Sequence, residues 1–347
     1  MGYGAWPVWN QMSSDEIVTA LVSAWGSSLM VTAAMLWCMH RLQWLAQPSA
    51  RSAHAVPKPS GGGVGVIAGF AIGHLVTGVS LSIYWWSAIG IIMLVVMDDV
   101  RKPFSVFKKT LFMLVAIVVL LADPRWIELF SGSSFFSGNN VFLFCLAVFW
   151  FFSLCNVFNF MDGIDGIGAT QSIIIASFLS FHIANYNSLL ALQAWIFIAS
   201  LLAFLVFNRP PARIFMGDVG SHFCGFFVAA FSIFSVANNV SGIHVLALLF
   251  YYFSDTTYTL VRRLLNRENI FQAHNKHVYQ RLARMGWSHS KVSIWAGSMT
   301  VLNGVGGYLL TSGLSVLGGF CWFISASIWI SSILHVECKG PSFAYSS

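Results

Sequence analysis

The sequence of 347 residues has very little charge. Only 9% of its residues are Asp, Glu, Lys or Arg, whereas 57% are hydrophobic and the mean hydropathy is +0.74. This composition excludes an ordinary soluble protein, whose surface needs far more charged side chains. Most of the apolar content lies in runs of roughly 17–22 residues, which is long enough to cross a ~30 Å hydrocarbon core as a helix. The sequence therefore predicts an all-α, polytopic integral membrane protein.

Cysteine pairs, low-complexity tails and internal repeats are also absent. None of the six cysteines forms a CxxC pair, and most lie within apolar runs, so no disulfide framework is predicted. The loops between the apolar runs are too short to be separate domains. We therefore predict a single membrane domain over residues 1–347.

About eleven transmembrane helices (ten or eleven) are predicted from the apolar runs. They cover residues 17–38, 62–82, 84–97, 107–122, 141–158, 167–184, 189–207, 219–237, 242–261, 291–311 and 314–334. The first run has no basic residue before it and Arg41 after it, which is typical of a retained anchor rather than a cleaved signal peptide. The many glycines are expected at close helix contacts.

The basic residues indicate the orientation. If the N-terminus lies outside, 17 of the 18 lysines and arginines fall on the cytoplasmic side and only Arg125 lies outside. Cytoplasmic loops of membrane proteins carry this excess of positive charge. We therefore predict an external N-terminus and a cytoplasmic C-terminus in a bacterial inner membrane. Because topology accounts for the net charge of +6, no nucleic-acid partner is expected.

Six aspartates lie at or within the predicted inner ends of spans, where charge is costly and usually faces a polar cavity. They are Asp98, Asp99, Asp162, Asp165, Asp218 and Asp255. Glu268 and Glu337, by contrast, are expected to be ordinary solvated charges. The first pair stands in "VVMDDVRKPFS", where adjacent carboxylates beside bases suit a divalent cation or a bound phosphate. A solvated helix end is the alternative.

The stretch "NVFNFMDGIDGIGAT" places Asn156, Asn159, Asp162 and Asp165 at every third position. Its glycines argue against one continuous helix. We predict that a span ends near Phe160, that "MDGIDG" forms a tight turn, and that a new helix follows. The amides and carboxylates would then meet on a loop at the inner face. Two ordinary Asp-Gly turns are the simpler alternative.

Two further inner loops carry polar residues. In "FNRPPARIFMGDVGSHFCGF", Arg213 offers a planar donor suited to phosphate, and Asp218 is a candidate metal ligand or helix cap. In "AHNKHVYQRLARMG", His274, His277 and Arg281 are suited to a pyrophosphate or a nucleotide. Zinc is not favoured here, because no nearby cysteine or third histidine completes a set of ligands.

These loops suit one kind of chemistry. Carboxylates, bases and glycine turns beside lipid favour phosphoryl transfer from a soluble nucleotide to a membrane-bound acceptor. A lipid phosphate is already largely dianionic at pH 7, because its second pKa is about 6. The protein therefore needs mainly to position and neutralise two anions, and an aspartate base is not required.

The chain resembles the polyprenyl-phosphate N-acetylhexosamine-1-phosphate transferases, the superfamily that includes the phospho-MurNAc-pentapeptide translocase. The resemblance runs from about residue 52 to 282 and is carried by "SAHAVPKPSGGGVG", "DDVRK", "NVFNFMDGIDG", "PARIFMGDVGS" and "HNKHVYQRL". It implies transfer of a sugar-1-phosphate from a UDP-sugar to undecaprenyl phosphate, with release of UMP. The implied cofactor is Mg²⁺, with Mn²⁺ as the alternative ion.

The resemblance also implies roles for particular residues. The implied catalytic residues are Asp98, Asp99 and Asp162, with Asp98 as a proposed base, and the implied metal ligands are Asp218 and Asp99. The implied substrate-binding residues are Lys102, Asn156, Asn159, Asp165, Arg213, His274, His277 and Arg281. Met113 stands near a position where relatives often carry glutamine.

Within the superfamily, "HNKHVYQRL" looks like the branch that initiates O-antigen and related surface polysaccharides. The translocase branch has three consecutive histidines there, and this loop shows no obvious binding site for a peptide. We therefore expect a UDP-N-acetylhexosamine donor, with a 6-deoxy form as a variant. The muramyl-pentapeptide donor is the alternative, and a secondary transporter is the alternative of another class. The identity of the sugar, the polysaccharide and a homodimeric state stay open.

Overall fold

The computed structural model describes residues 12–43, 45–46, 57–78, 85–91, 106–126, 129, 140–184, 186–270, 272 and 274–339. In chain order its helices are α1 (Ser14–Arg41), α2 (Gly63–Val76), α3 (Val106–Leu121), α4 (Asn140–Phe160), α5 (Ile167–Ile183), α6 (Ser188–Asn208), α7 (Gly217–Ala237), α8 (Gly242–Leu248), α9 (Phe250–Leu265), α10 (Val278–Arg284), α11 (His289–Thr311) and α12 (Ser315–Lys339). Residues 85–91 are also helical. Two short strands, β1 (Leu45–Ala46) and β2 (Lys58–Pro59), pair antiparallel.

The predicted all-α class is confirmed, since helices form nearly all of the regular structure in the described ranges. Within those ranges five helices, α1, α4, α6, α7 and α12, are long and apolar enough to cross a membrane. Helices α2 and α5 are apolar but shorter. The total of eleven spans and the orientation stay predictions.

One predicted span is wrong in its continuity. Residues 242–261 were expected to form a single helix, but α8 and α9 are separate and meet at Leu249. The backbone of Leu249 has φ −88° and ψ −1°, which departs from helical values and breaks the regular course of the chain. Neither glycine nor proline marks this break in the sequence.

Glycines bring helices unusually close together, as the composition predicted. A Cβ atom at Gly65 would lie 2.0 Å from the Thr32 side-chain oxygen of α1, and one at Gly69 would lie 2.6 Å from the Ser28 Cβ. At the start of α2, a Cβ atom at Gly63 would lie 2.2 Å from the Gly220 Cα of α7. The first turns of α2 and α7 are therefore in direct backbone contact, and this contact borders the site.

Candidate active site

A cavity of about 300 Å³ lies where several polar loops meet at one end of the helices. Helices α4 and α6 end there, and α5 and α7 begin there. The cavity is lined by Ser60, Asn159, Asp162, Gly163, Ile164, Asp165, Asn208, Phe215, Met216, Gly217, Asp218, Ser221 and Gln280. These residues belong to four of the segments that the sequence singled out, which lie far apart in the chain.

Main-chain hydrogen bonds build one wall of the cavity. The N–H groups of Gly61 and Gly62 both donate to the carbonyl of Phe215, at 3.1 and 2.9 Å. In return the N–H of Phe215 donates to the carbonyl of Pro59 at 2.9 Å. The glycine-rich loop before α2 is thereby fixed against the segment before α7.

The turn between α4 and α5 forms a second wall, and its predicted position is confirmed. Gly166 adopts a left-handed conformation (φ 78°), and its N–H donates to the side-chain oxygen of Asn208 at 3.1 Å. The N–H of Gly163 donates to the Tyr279 hydroxyl at 2.8 Å, and that hydroxyl donates to the carbonyl of Phe160 at 2.9 Å. The turn is thus held by the end of α6 on one side and by α10 on the other.

Asp162 points from this turn toward the first turn of α5. A Cβ atom at Gly168 would lie only 2.3 Å from the Asp162 Oδ1, so a glycine is needed for the carboxylate to lie here. Burial raises the pKa of Asp162 to about 8, and the charges of Asp218 and Asp165 add to the increase, while the Gly168 N–H opposes it. Without a cation, Asp162 is therefore largely protonated at neutral pH.

Asp165 connects separate segments of the site. Its buried carboxylate accepts the N–H of Ala212 at 3.0 Å, and its Oδ2 lies 3.2 Å from the His289 Nδ1 and 3.9 Å from the Lys58 Nζ. Burial alone would raise the pKa of Asp165. The hydrogen bonds from His289 and Ala212 and the nearby positive charges outweigh burial and lower the pKa overall. Asp165 is therefore an ionised anchor in the cavity wall.

Asp218 stands at the start of α7 in a set of polar contacts. Its carboxylate accepts from the Lys109 Nζ at 2.9 Å and from the Asn159 amide at 3.1 Å. The same amide group also donates to the Ser221 hydroxyl at 3.0 Å. The structure thus brings Asn159, Asp162, Asp165 and Asp218 into one cavity, and adds Lys109 beside them.

The cavity offers oxygen atoms that suit the expected divalent cation. Carboxylate and amide oxygens are the ligands that Mg²⁺ prefers. Burial is the main cause of the raised pKa of Asp162, and the nearby carboxylates of Asp218 and Asp165 add to it, so a bound cation would favour the ionised form. Among the described residues, no three acidic, histidine or cysteine side chains converge as a complete metal site. The chemistry of Asp162 and Asp218 fits a hard cation, and the predicted ligand Asp99 lies outside the described residues, as do Asp98 and Lys102.

Two predicted substrate-binding residues do not line the cavity. The Asn156 amide donates to the carbonyl of Phe152 in its own helix, at 2.7 Å. The exposed Arg213 donates to the carbonyl of Val206 at 3.3 Å, and its guanidinium lies 5.2 Å from the Phe207 ring centroid. Their roles toward a substrate stay predictions, which would require movement of these side chains.

The two predicted histidines lie behind the cavity wall. His277 is only 2% exposed, and its Nδ1 lies 3.1 Å from the Asp255 Oδ1. The fully buried Asp255 also accepts the N–H groups of Val278 and Tyr279, at 3.0 and 3.1 Å, and so caps α10. The His274 ring stacks on His277, and burial, reinforced by nearby positive charge, lowers the pKa of His274 to about 3. His274 is therefore neutral at physiological pH.

Arg281 is 4% exposed and faces the last helix. It forms an ion pair with Glu337 and donates to the carbonyl of Val336 at 3.0 Å. Glu337 also accepts from the Tyr258 hydroxyl at 2.7 Å and lies 3.2 Å from the Arg262 guanidinium. The expectation that Glu337 is an ordinary solvated charge is therefore wrong, because three partners converge on it.

Several residues that contribute to the cavity were not assigned by the sequence interpretation, and four of them illustrate why. Ser60, Asn208 and Gln280 line it, and Lys109 pairs with Asp218. The first three stand within or beside stretches already singled out, so their positions in those stretches could have identified them. Lys109 gave no distinct signal, because a basic pair at the start of a span is typical of a topology determinant.

Comparison with known proteins finds one family and several similar enzymes. A family model described as "Glycosyl transferase family 4" matches residues 81–236. A protein of Bacillus subtilis (strain 168), "Probable undecaprenyl-phosphate N-acetylglucosaminyl 1-phosphate transferase", is 28% identical over 284 residues, which cover 79% of each chain.

Two other relatives are named "Phospho-N-acetylmuramoyl-pentapeptide-transferase". The protein of Carboxydothermus hydrogenoformans is 28% identical over 53% of each chain. That of Dictyoglomus turgidum is 36% identical over 30% of this chain and 34% of its own length. These two alignments therefore span about half and a third of the relatives. The apolar helices and the matches to membrane enzymes indicate a bacterial membrane protein. Together with the motifs that build the cavity, the family match over residues 81–236 and these relatives support the superfamily of sugar-1-phosphate transferases that the sequence resembles.

Proposed function

We propose that the protein transfers N-acetylhexosamine-1-phosphate from a UDP-sugar to undecaprenyl phosphate and releases UMP. The observation that carries the proposal is the cavity in which Asp162, Asp165 and Asp218 meet, with Lys109 at 2.9 Å from Asp218. Such a mixture of acids, a base and amides suits the positioning of two phosphate groups. The relative from Bacillus subtilis carries a name of the same chemical class.

The reaction needs little acid–base chemistry. An oxygen of the lipid phosphate attacks the phosphorus that bears the sugar, and the bond from this phosphorus to the bridging oxygen of the UMP group breaks. The new bond is a diphosphate link between lipid and sugar, and UMP leaves with the bridging oxygen and its electron pair. Because the attacking phosphate is already largely dianionic, no side chain has to remove a proton. The protein contributes by aligning and neutralising the two anions.

The residues of the cavity divide this work. We assign Asp218 and Asp162 to hold the cation, with Asn159 fixing the Asp218 carboxylate through its amide. When bound, Mg²⁺ (or Mn²⁺) would neutralise the diphosphate of the donor. Lys109 would add positive charge at the same place, and Asp165 keeps the loops around the cavity in position.

The loop that leads into α10 is the basis for the proposed identity of the donor sugar. The "HNKHVYQRL" segment lacks a histidine run and offers no evident site for a peptide, so we propose a UDP-N-acetylhexosamine, including 6-deoxy forms, as the donor. The product would begin an O-antigen or a related surface polysaccharide. Relatives named for pentapeptide transfer make the muramyl-pentapeptide donor the second candidate. A cavity at the helix ends favours either enzyme over a transporter, whose site is expected near the membrane midplane.

The test is UMP release by the purified protein in detergent. Undecaprenyl phosphate and Mg²⁺ are supplied with a panel of UDP-N-acetylhexosamines and with UDP-MurNAc-pentapeptide, and each reaction is repeated with EDTA. Lipid-dependent, EDTA-sensitive release with one donor would establish the reaction and identify the sugar. Asp218→Asn should abolish release while the protein remains folded, and Asp15→Asn, in the first turn of α1, is the matched control. Folded protein that releases no UMP from any donor would refute the proposal.

A further inference from the structure

The segment around α10 reaches the cavity through one side chain. Of the "HVYQRL" residues, only Gln280 lines the cavity, since His277, Tyr279 and Arg281 are buried behind it. The carboxamide nitrogen of Gln280 lies directly over the exposed Gly163, where an added Cβ atom would be 2.6 Å from it. Gln280 is therefore the point at which α10 touches the interior of the site.

The orientation of this carboxamide is fixed by its oxygen. The Oε1 atom of Gln280 accepts the N–H of His277 at 3.2 Å, as part of a capping box at the start of α10. The nitrogen is thereby turned toward the cavity. The Tyr279 hydroxyl lies near the same amide. Because a carboxamide nitrogen carries two N–H donors, one remains to face a ligand even when the other lies toward this hydroxyl.

The surroundings select the kind of acceptor. Gly163, under the amide, stands between Asp162 and Asp165 in the chain, and all three line the cavity. Of the two carboxylates, Asp165 is ionised and is not assigned to hold the cation, so it would repel a phosphate oxygen at this place, whereas it would not repel a neutral carbonyl oxygen. A donor of the proposed class has such oxygens in the sugar acetamido group and in the uracil ring.

We propose that the Gln280 carboxamide nitrogen donates a hydrogen bond to a neutral carbonyl oxygen of the nucleotide sugar, and so contributes to donor recognition. This inference rests on the proposed function. Two supports hold the residue in place. Asp255 caps α10 from one side, and the Arg281–Glu337 pair joins α10 to α12 on the other. Arg281 and Glu337 are thus positioning residues, and Gln280 is the group that meets the donor.

Two substitutions separate recognition from capping. Gln280→Glu keeps an oxygen that can cap α10 but removes the N–H donors and adds a negative charge. Gln280→Met removes both the donors and the cap but adds no charge. Loss of the N–H donors is the only change that the two variants share. The matched control is Gln193→Leu, because this residue lies in α6, about 15 residues and so roughly 22 Å of helix from the cavity residue Asn208.

The measurement is KM for the nucleotide sugar and, separately, KM for undecaprenyl phosphate. Loss of one hydrogen bond should raise the donor KM about 3- to 10-fold in both Gln280 variants, with the lipid KM unchanged. A purely structural role predicts instead that Gln280→Glu behaves like the wild type and only Gln280→Met is impaired. That pattern, or a wild-type donor KM in both variants, would overturn the inference.

Inhibition by UMP identifies which carbonyl oxygen of the donor accepts the hydrogen bond from Gln280. Equal weakening of UMP inhibition in both variants would assign the contact to the uracil ring, and unchanged inhibition would assign it to the acetamido group. Wild-type turnover is measured in the same experiment. If the wild type transfers no sugar phosphate, the proposed function fails. If it turns over normally and the variants match it, only the role of Gln280 fails.

Discussion

The raised pKa of Asp162 gives a prediction about stability and pH. A folded-state pKa of about 8, against an ordinary value of 3.8, means that the folded protein holds a proton that the unfolded chain releases. The stability contributed by this proton is complete below about pH 4 and is lost as the pH rises toward 8. Asp162→Asn keeps the shape of the side chain without ionisation. The substitution should therefore stabilise the protein increasingly from pH 5 to pH 8.

The magnitude follows from the two pKa values. Each pH unit between them corresponds to about 1.4 kcal/mol, so the whole interval would give about 5–6 kcal/mol. Asp162 keeps some contact with the open cavity, where water screens its charge, so we expect less than half of this, about 2 kcal/mol at pH 8. In a chain of this length such a gain raises the melting temperature by a few degrees.

The assay is thermal unfolding of the detergent-solubilised protein, followed by the fluorescence of its 14 tryptophans at half-unit steps from pH 5 to 8.5. Asp15→Asn, at an exposed position in α1, is the control and should show no growing difference. Adding Mg²⁺ at pH 8 should reduce the gap between the wild type and Asp162→Asn, because a cation favours the ionised carboxylate. Parallel wild-type and variant profiles across this pH range would refute the reasoning. Despite its higher stability, the variant should have lost transfer activity.

Two other predictions concern the walls of the cavity. Gly63→Ala places a methyl group 2.2 Å from the Gly220 Cα, so we expect the variant to be destabilised by about 1–3 kcal/mol or more. Gly26→Ala is the control, because no atom lies within 4 Å of the added Cβ. It should leave the melting temperature within about a degree of the wild type or raise it. Equal melting temperatures of these variants would contradict the close helix contact. Lys109→Met should change stability by less than about 1 kcal/mol, since its pair with Asp218 is partly exposed, yet lower kcat/KM for the donor at least about tenfold. Lys108→Met is the control, and an equal loss in both lysine variants would deny Lys109 a specific role.

The fold was predictable wherever an apolar run ended at a residue with a clear preference. Glycines and aspartates in "MDGIDG" marked the turn between α4 and α5, and the structure ends α4 at Phe160. The break at Leu249 was not predictable, because the residues on both sides of it are apolar and favour helix equally. The break lies in the backbone conformation of one residue, which composition does not encode.

The site was predictable where function depends on the residues of a local stretch. Asn159, Asp162, Asp165 and Asp218 share one cavity because each stands at the end of a span on the same side. The partners of the buried groups were not predictable. Asp255 meets α10 across more than 20 residues, and Arg281 meets Glu337 across 56. Such pairs are fixed by helix packing, so a sequence pattern shows the charge but not its partner.

The hydrogen bonds between the loop before α2 and the segment before α7 constrain the length of the chain on both sides of the contact. Gly61, Gly62 and Phe215 are joined through main-chain atoms, and the glycines are needed as well, because Gly61 has φ 110° and a Cβ atom added at Gly62 would lie 2.6 Å from the Phe204 ring. One inserted or deleted residue on either side would move Gly63 away from Gly220 and break the main-chain hydrogen bonds of Gly61 and Gly62 to Phe215. Protein engineers who seek a different sugar preference should therefore keep the lengths of residues 57–63 and 209–217 fixed, and vary side chains on α10.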